Sequence, residues 1–152
     1  MVKTLTHKKT PLGLTQGRAS LAEPAAAAIC DQHGAALSAL AEVVAGDSGS
    51  AQAAVVAVIV AAFPATTMAV PMAPVEMRRH LARRVYRQCG SGLDDTVSRA
   101  GRERVVLALA QHGRLTYRAA GDLLGLPASE TAQLLNSALR RASATTATPS
   151  TQ

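Results

Sequence analysis

An all-α fold of two small helical domains joined by a short linker is what the sequence predicts, and three observations predict it. The chain is 48% apolar but only 2% aromatic. Much of that apolar content is Ala, which suits a thin helical core; strands favour β-branched and aromatic side chains. The apolar residues recur at three- and four-residue steps, and Gly and Pro cut them into three helices, a linker and three more helices. The last two pair as a helix-turn-helix.

Residues 1–20, basic and without a continuous apolar run, are expected to be a flexible arm and make a poor signal peptide. Pro24, with Glu23 beside it, suits the first turn of a helix. Its apolar face holds Ile29, Leu37, Leu40, Val43 and Val44, and Gly46 stops it. Asp47-Ser48-Gly49-Ser50 is a turn with an N-cap for a second helix that Pro64 ends near Phe63. A third helix starts after Pro74, with Met77, Leu81, Val85 and Cys89 at four-residue steps and Gly90 at its end. This first domain spans 21–89.

Residues 90–101 form the linker. In the second domain, 102–142, one helix stops at Gly113. Thr116 caps the next and Gly125 ends it. The last helix comes after Leu126-Pro127, with Leu135 and Leu139 facing inward. The Ser/Thr/Ala-rich tail, 143–152, is expected to be disordered.

The formal charge is +6, and it is unevenly placed. Residues 1–74 are neutral overall, whereas 75–104 carry eight Arg against four acidic groups. Such a basic segment fits a polyanionic partner or a solvated helix face. Cys30 and Cys89 make no metal spacing and are expected to be reduced thiols of a cytoplasmic protein. No P-loop, GxGxxG, HExxH or GxSxG occurs. The expectation is therefore a protein without enzymatic activity, without a cofactor or metal, and without a small-molecule substrate. A His or Cys beside a carboxylate in a pocket would reopen that question.

The stretch AQAAVVAVIVAAF, 51–63, has no charged side chain. A spanning helix needs about 20 apolar residues. Val55 to Phe63 supplies nine before Pro64, and three prolines interrupt the rest of the uncharged run. No membrane insertion is expected. The helix is instead covered by the chain itself or by a partner, with Val55, Val56, Ile59 and Phe63 as partner-binding residues.

The segment RERVVLALAQHGRLTYRAAGDLLGLPASETAQLLNSALRRA resembles the promoter-binding domain of extracytoplasmic-function sigma factors of bacterial RNA polymerase. The likeness lies in Leu115-Thr116-Tyr117-Arg118, Leu124-Gly125-Leu126-Pro127 and Ala138-Leu139-Arg140-Arg141. ICDQHGAALSALAEVVAGDSGSAQAAVVAVIVAAF is similar to that family's first conserved domain, with His33, Leu37 and Leu40 leading to Gly46-Asp47. The resemblance covers roughly 21 to 142. It implies partners of two kinds, promoter DNA and the RNA polymerase core. It also implies that the second helix docks on the polymerase through acidic and amide groups. Those stations hold Gln52, Ala53, Val56 and Ala57 here, with Ala61 where a basic residue is common in the family, so a polar face has become apolar.

In the family the helix corresponding to 76–89 meets the promoter's melted element. Here Arg78, Arg79, Arg83, Arg84 and Arg87 would supply phosphate contacts. Strand opening needs rings that stack on extruded bases, and this helix offers only Tyr86. In the last helix Gln133, Asn136 and Arg140 share one face, amides suiting adenine edges and Arg a guanine or phosphate. Leu134 is costly to expose and belongs to a core or a partner. Arg118 and Arg141 complete the predicted DNA contacts. The expected function is a sigma-factor-like transcription protein. The alternative is a sigma-derived interaction module that acts through a protein partner or as a homodimer.

Overall fold

The structure, a computed structural model, describes the backbone of residues 16–68, 72–90 and 97–146, and side chains over 24–62, 72–90 and 97–145. It is all-α among these residues. Six helices occur in order: α1 Gln16–Ala45, α2 Ser48–Met68, α3 Pro74–Cys89, α4 Arg99–Gln111, α5 Tyr117–Leu124 and α6 Ala128–Thr146. The predicted arm over 1–15, most of the predicted linker (91–96) and the end of the predicted tail (147–152) lie outside the described residues.

α1, α2 and α3 pack on one another, α6 packs on α4 and α5, and α1 also meets α4. Leu37, Leu40, Leu81 and Val85 are sealed from solvent at the centre of the first group. Alanines fill the contacts between them: Ala41, Ala51, Ala62 and Ala82 are at most 2% exposed. Without a bulky side chain, helix backbones approach closely and little apolar volume closes the core. The same apolar cluster runs on through Val105, Ala108, Leu109 and Leu115 to Ala120.

Helix ends obey local chemistry. Gly46 takes φ +78 and its N–H bonds the Glu42 carbonyl at 3.0 Å, closing α1. Asp47 Oδ1 accepts the Ser50 N–H at 2.7 Å, capping α2. That backbone hydrogen bond is the main cause holding the Asp47 carboxyl below its usual range. Pro74 opens α3 with Glu76 in its first turn. The Ser98 hydroxyl accepts from Gly101 to start α4, and Thr116 accepts from Ala119 to start α5. Gly125 ends α5 at φ +67, a left-handed conformation that glycine takes at low cost. A Cβ at Gly121 would lie 2.7 Å from Thr131 Oγ1, so a glycine is what lets α5 and α6 touch there.

Several boundaries and phases differ from the sequence expectation. α1 begins at Gln16 and carries Pro24 within it, so residues 16–20 of the predicted arm are helical. α2 continues past Pro64 to Met68, and residues 143–146 of the predicted tail belong to α6. Val43 is 41% exposed, because the inward stripe of α1 runs through Ile29, His33, Leu37, Leu40 and Ala41. Leu139 is 44% exposed, since the inner face of α6 is Thr131, Leu134 and Ala138. One residue further along turns a side chain by about 100°. Leu134 is in the core, 3% exposed.

α2 divides cleanly. Ala51, Ala54, Val55, Val58, Ile59 and Ala62 are buried, while Gln52, Ala53, Val56, Ala57, Val60 and Ala61 face out. Val55 and Ile59 therefore belong to the chain's own core, against α1 and α3, and are not free for a partner. Val56, at 54% exposed, is. The Phe63 side chain lies outside the described ones. No described helix is long and apolar enough to cross a membrane.

Candidate nucleic-acid interface

The five predicted arginines of α3 separate into two groups. Arg78 Nε donates to His33 Nδ1 at 3.2 Å, and its Nη2 donates to the Gln32 carbonyl at 2.6 Å, fastening α3 to α1. Arg79 Nε donates to the Arg114 carbonyl at 2.8 Å, fastening α3 to the turn before α5; Nη1 pairs with Glu76. These two side chains hold helices together, and part of each donor set is already committed. Arg83, Arg84 and Arg87 have no hydrogen bond or ion pair among the described residues. Their i, i+1 and i+4 spacing gathers them on one side of α3. Arg84 and Arg87 border a groove whose other wall is Ala57 and Ala61 of α2.

Tyr86 is buried, 9% exposed, and burial pushes its hydroxyl pKa up. The ring is core and cannot stack on an extruded base. Among the described side chains the aromatic that does reach the surface is Tyr117, 37% exposed, and nothing in the sequence marks it as a stacking group. Arg118 Nε donates to its hydroxyl at 3.1 Å and the guanidinium lies 5.7 Å from the ring centroid. Tyr117 and Arg118 thus form one exposed unit at the start of α5.

On α6, Gln133, Asn136 and Arg140 are all exposed, as their spacing requires, and none has a partner among the described residues. Arg141 is different. Its Nη1 lies 2.7 Å from Oε2 of Glu103, a carboxylate on α4 with only 2% side-chain exposure. The approach is off the line of an aligned hydrogen bond, so the contact is an ion pair. Arg99 Nε reaches Oε1 of the same group at 3.3 Å. Arg141 therefore neutralises a buried acid, and part of its charge is already committed within the fold.

The predicted contacts are not drawn into one site. They lie on α3, α5 and α6, and the main packing partners of α3 are α1 and α2, whereas those of α6 are α4 and α5. Among the described residues no three His, Cys, Asp or Glu groups are placed to hold a metal ion.

One pocket does set a thiol beside a carboxylate, Cys89 with Asp47. Burial first, and then the Asp47 charge, raise the Cys89 pKa, which weakens it as a nucleophile. Cys30 is exposed. A maleimide probe under native conditions is expected to label Cys30 well before Cys89, with peptide mapping as the readout; equal rates would contradict the packing around Cys89.

No family model, curated protein or solved structure matches the chain.

Proposed function

We propose that this chain is a sigma-factor-like protein of transcription, acting in the cytoplasm by docking on promoter DNA, the RNA polymerase core, or both. The observation that carries the reading is a set of six predicted DNA-contacting side chains left without partners among the described residues: Arg83, Arg84, Arg87, Gln133, Asn136 and Arg140. Arg83, Arg84 and Arg87 contact phosphates. The amides of Gln133 and Asn136, with Arg140, read base edges from α6 as the second helix of a helix-turn-helix. With Tyr86 buried, the mode is duplex docking and not strand opening. No bond is made or broken.

Counterion release makes such binding fall steeply with salt. The test is the affinity for labelled duplex DNA across a salt series. A steep negative slope supports the DNA part of the reading, and absent or salt-insensitive binding by the folded protein removes that part and leaves only docking on the polymerase core.

A second reading rests on the outer face of α2. Val56 and Val60 are 54% and 65% exposed on a helix with no charged group there. A polymerase-docking face cannot form salt bridges from Ala and Val, whereas an apolar face suits a protein partner or a second copy. Concentration-dependent association without DNA binding would favour this reading.

A further inference from the structure

Where α1, α3 and the α4–α5 turn meet, a cleft of about 490 Å³ opens between them, within the range of small-ligand sites. His33, Arg78, Arg79 and Arg114 line it, and no Asp or Glu does. Arg79 is balanced by Glu76. Arg78 and Arg114 have no carboxylate partner among the described residues. Two helices also begin at the cleft wall, α3 at Pro74 and α5 after Thr116. Their amino ends add to the positive potential of the arginines.

Two further features point to a ligand. The first is His33, a ring only 2% exposed. Its Nδ1 accepts from Arg78 Nε, and a guanidinium can only donate, so the ring proton must sit on Nε2. That N–H donor has no protein acceptor among the described residues, and it is not sealed from solvent. Burial, and then the Arg78 charge, lower the His33 pKa and keep the ring a neutral donor.

The second is Arg114. It has φ +56 and is the one non-glycine residue with positive φ among those described. Gly or Asn would occupy that turn with less strain. Its carbonyl is useful there as the acceptor for Arg79, but any residue supplies a carbonyl. What arginine alone adds is a cationic side chain on a residue that lines the cleft, and that side chain has no partner among the described residues.

We infer that this junction cleft is an oxyanion site that takes a phosphate-bearing ligand. Arg78 and Arg114 supply the charge, and His33 Nε2–H supplies a neutral donor. Because its walls come from both halves of the chain, an occupied cleft would clamp α1 and α3 against the α4–α5 turn. The inference does not depend on the DNA-binding reading.

The test uses the full chain with inorganic pyrophosphate as probe, monitored by calorimetric titration and by melting temperature, against sodium chloride at matched ionic strength. Saturable one-to-one binding and a raised melting temperature are expected. Arg114→Gly should melt no lower than the parent, since it relieves the strained turn, yet bind pyrophosphate at least about ten-fold more weakly. Arg114→Asn, which also tolerates the left-handed turn, should lose the same affinity and guards against a folding artefact. The variant with Arg83, Arg84 and Arg87 all changed to Gln should retain pyrophosphate binding, which separates this site from the α3 stripe.

A competing duplex identifies the source of the phosphate. Displacement of pyrophosphate by DNA, with the same Arg114→Gly loss, assigns the cleft to a backbone phosphate. No displacement assigns it to a free phosphorylated molecule. Binding no stronger than the salt control, or equal affinity in the parent and both Arg114 variants, would overturn the inference.

Discussion

Changing Arg83, Arg84 and Arg87 together to Gln is expected to weaken DNA binding and to make its salt dependence shallower. The slope of log affinity against log salt should fall by about 3, roughly one for each phosphate contact removed. None of the three side chains has a partner among the described residues, so their charge is free to replace condensed counterions. Gln keeps part of the aliphatic stem that each arginine lays along the helix surface. The melting temperature should therefore hardly move. An unchanged slope would return the arginines to the status of a solvated helix face. A large drop in melting temperature would mean that they pack more deeply than their free guanidinium groups imply.

Removing Arg141 is expected to cost more than its exposed position suggests. Arg141→Ala strips the main counter-charge from Glu103, whose side chain is 2% exposed and cannot turn to water. Leaving a buried charge unpaired typically costs about 3–5 kcal/mol. Here Arg99 still approaches the other oxygen, and Arg141 is itself 62% exposed and partly screened by solvent, which brings the expectation down to roughly 2 kcal/mol. The reverse change is different: Glu103→Leu releases two largely exposed arginines into solvent and should cost little. The double variant Arg141→Ala, Glu103→Leu should recover most of the loss, as a urea-denaturation cycle would reveal. If the double variant is no more stable than Arg141→Ala alone, the loss came from α6 itself and not from the stranded carboxylate.

Features written in local chemistry could be read from the sequence. Thr116 and Gly125 were legible as the two ends of α5 because a hydroxyl cap and a left-handed glycine depend only on neighbouring residues. Pro74 and Glu76 marked the start of α3 in the same way. That α2 carries no charged side chain was legible too, and Ala53, Val56 and Ala57 stand on its outward face. Phase was harder. Leu134 and Leu135, like Ala138 and Leu139, are adjacent pairs, and periodicity alone does not say which member faces in. Val55 and Ile59 could not be told from Val56 and Val60 for the same reason, because α2 is apolar all round.

Contacts between distant segments were not legible at all. Arg78 bonds Gln32 across 46 residues and Arg79 bonds Arg114 across 35, so two of the predicted phosphate-contacting side chains also fasten helices. Arg141 is likewise committed in part, to Glu103 of another helix. Arg114 itself had no sequence signal, since its importance lies in a positive φ and a cleft that only the packed helices create.

The central claim is that the fold docks on the transcription machinery, and binding of the purified chain to bacterial core RNA polymerase tests it most directly. The measurement is made with and without promoter DNA across a salt series. The account predicts a complex that forms with core, engages promoter DNA and loosens steeply as salt rises. A folded protein that binds neither core nor DNA at low salt, and instead self-associates through Val56 and Val60, would contradict it.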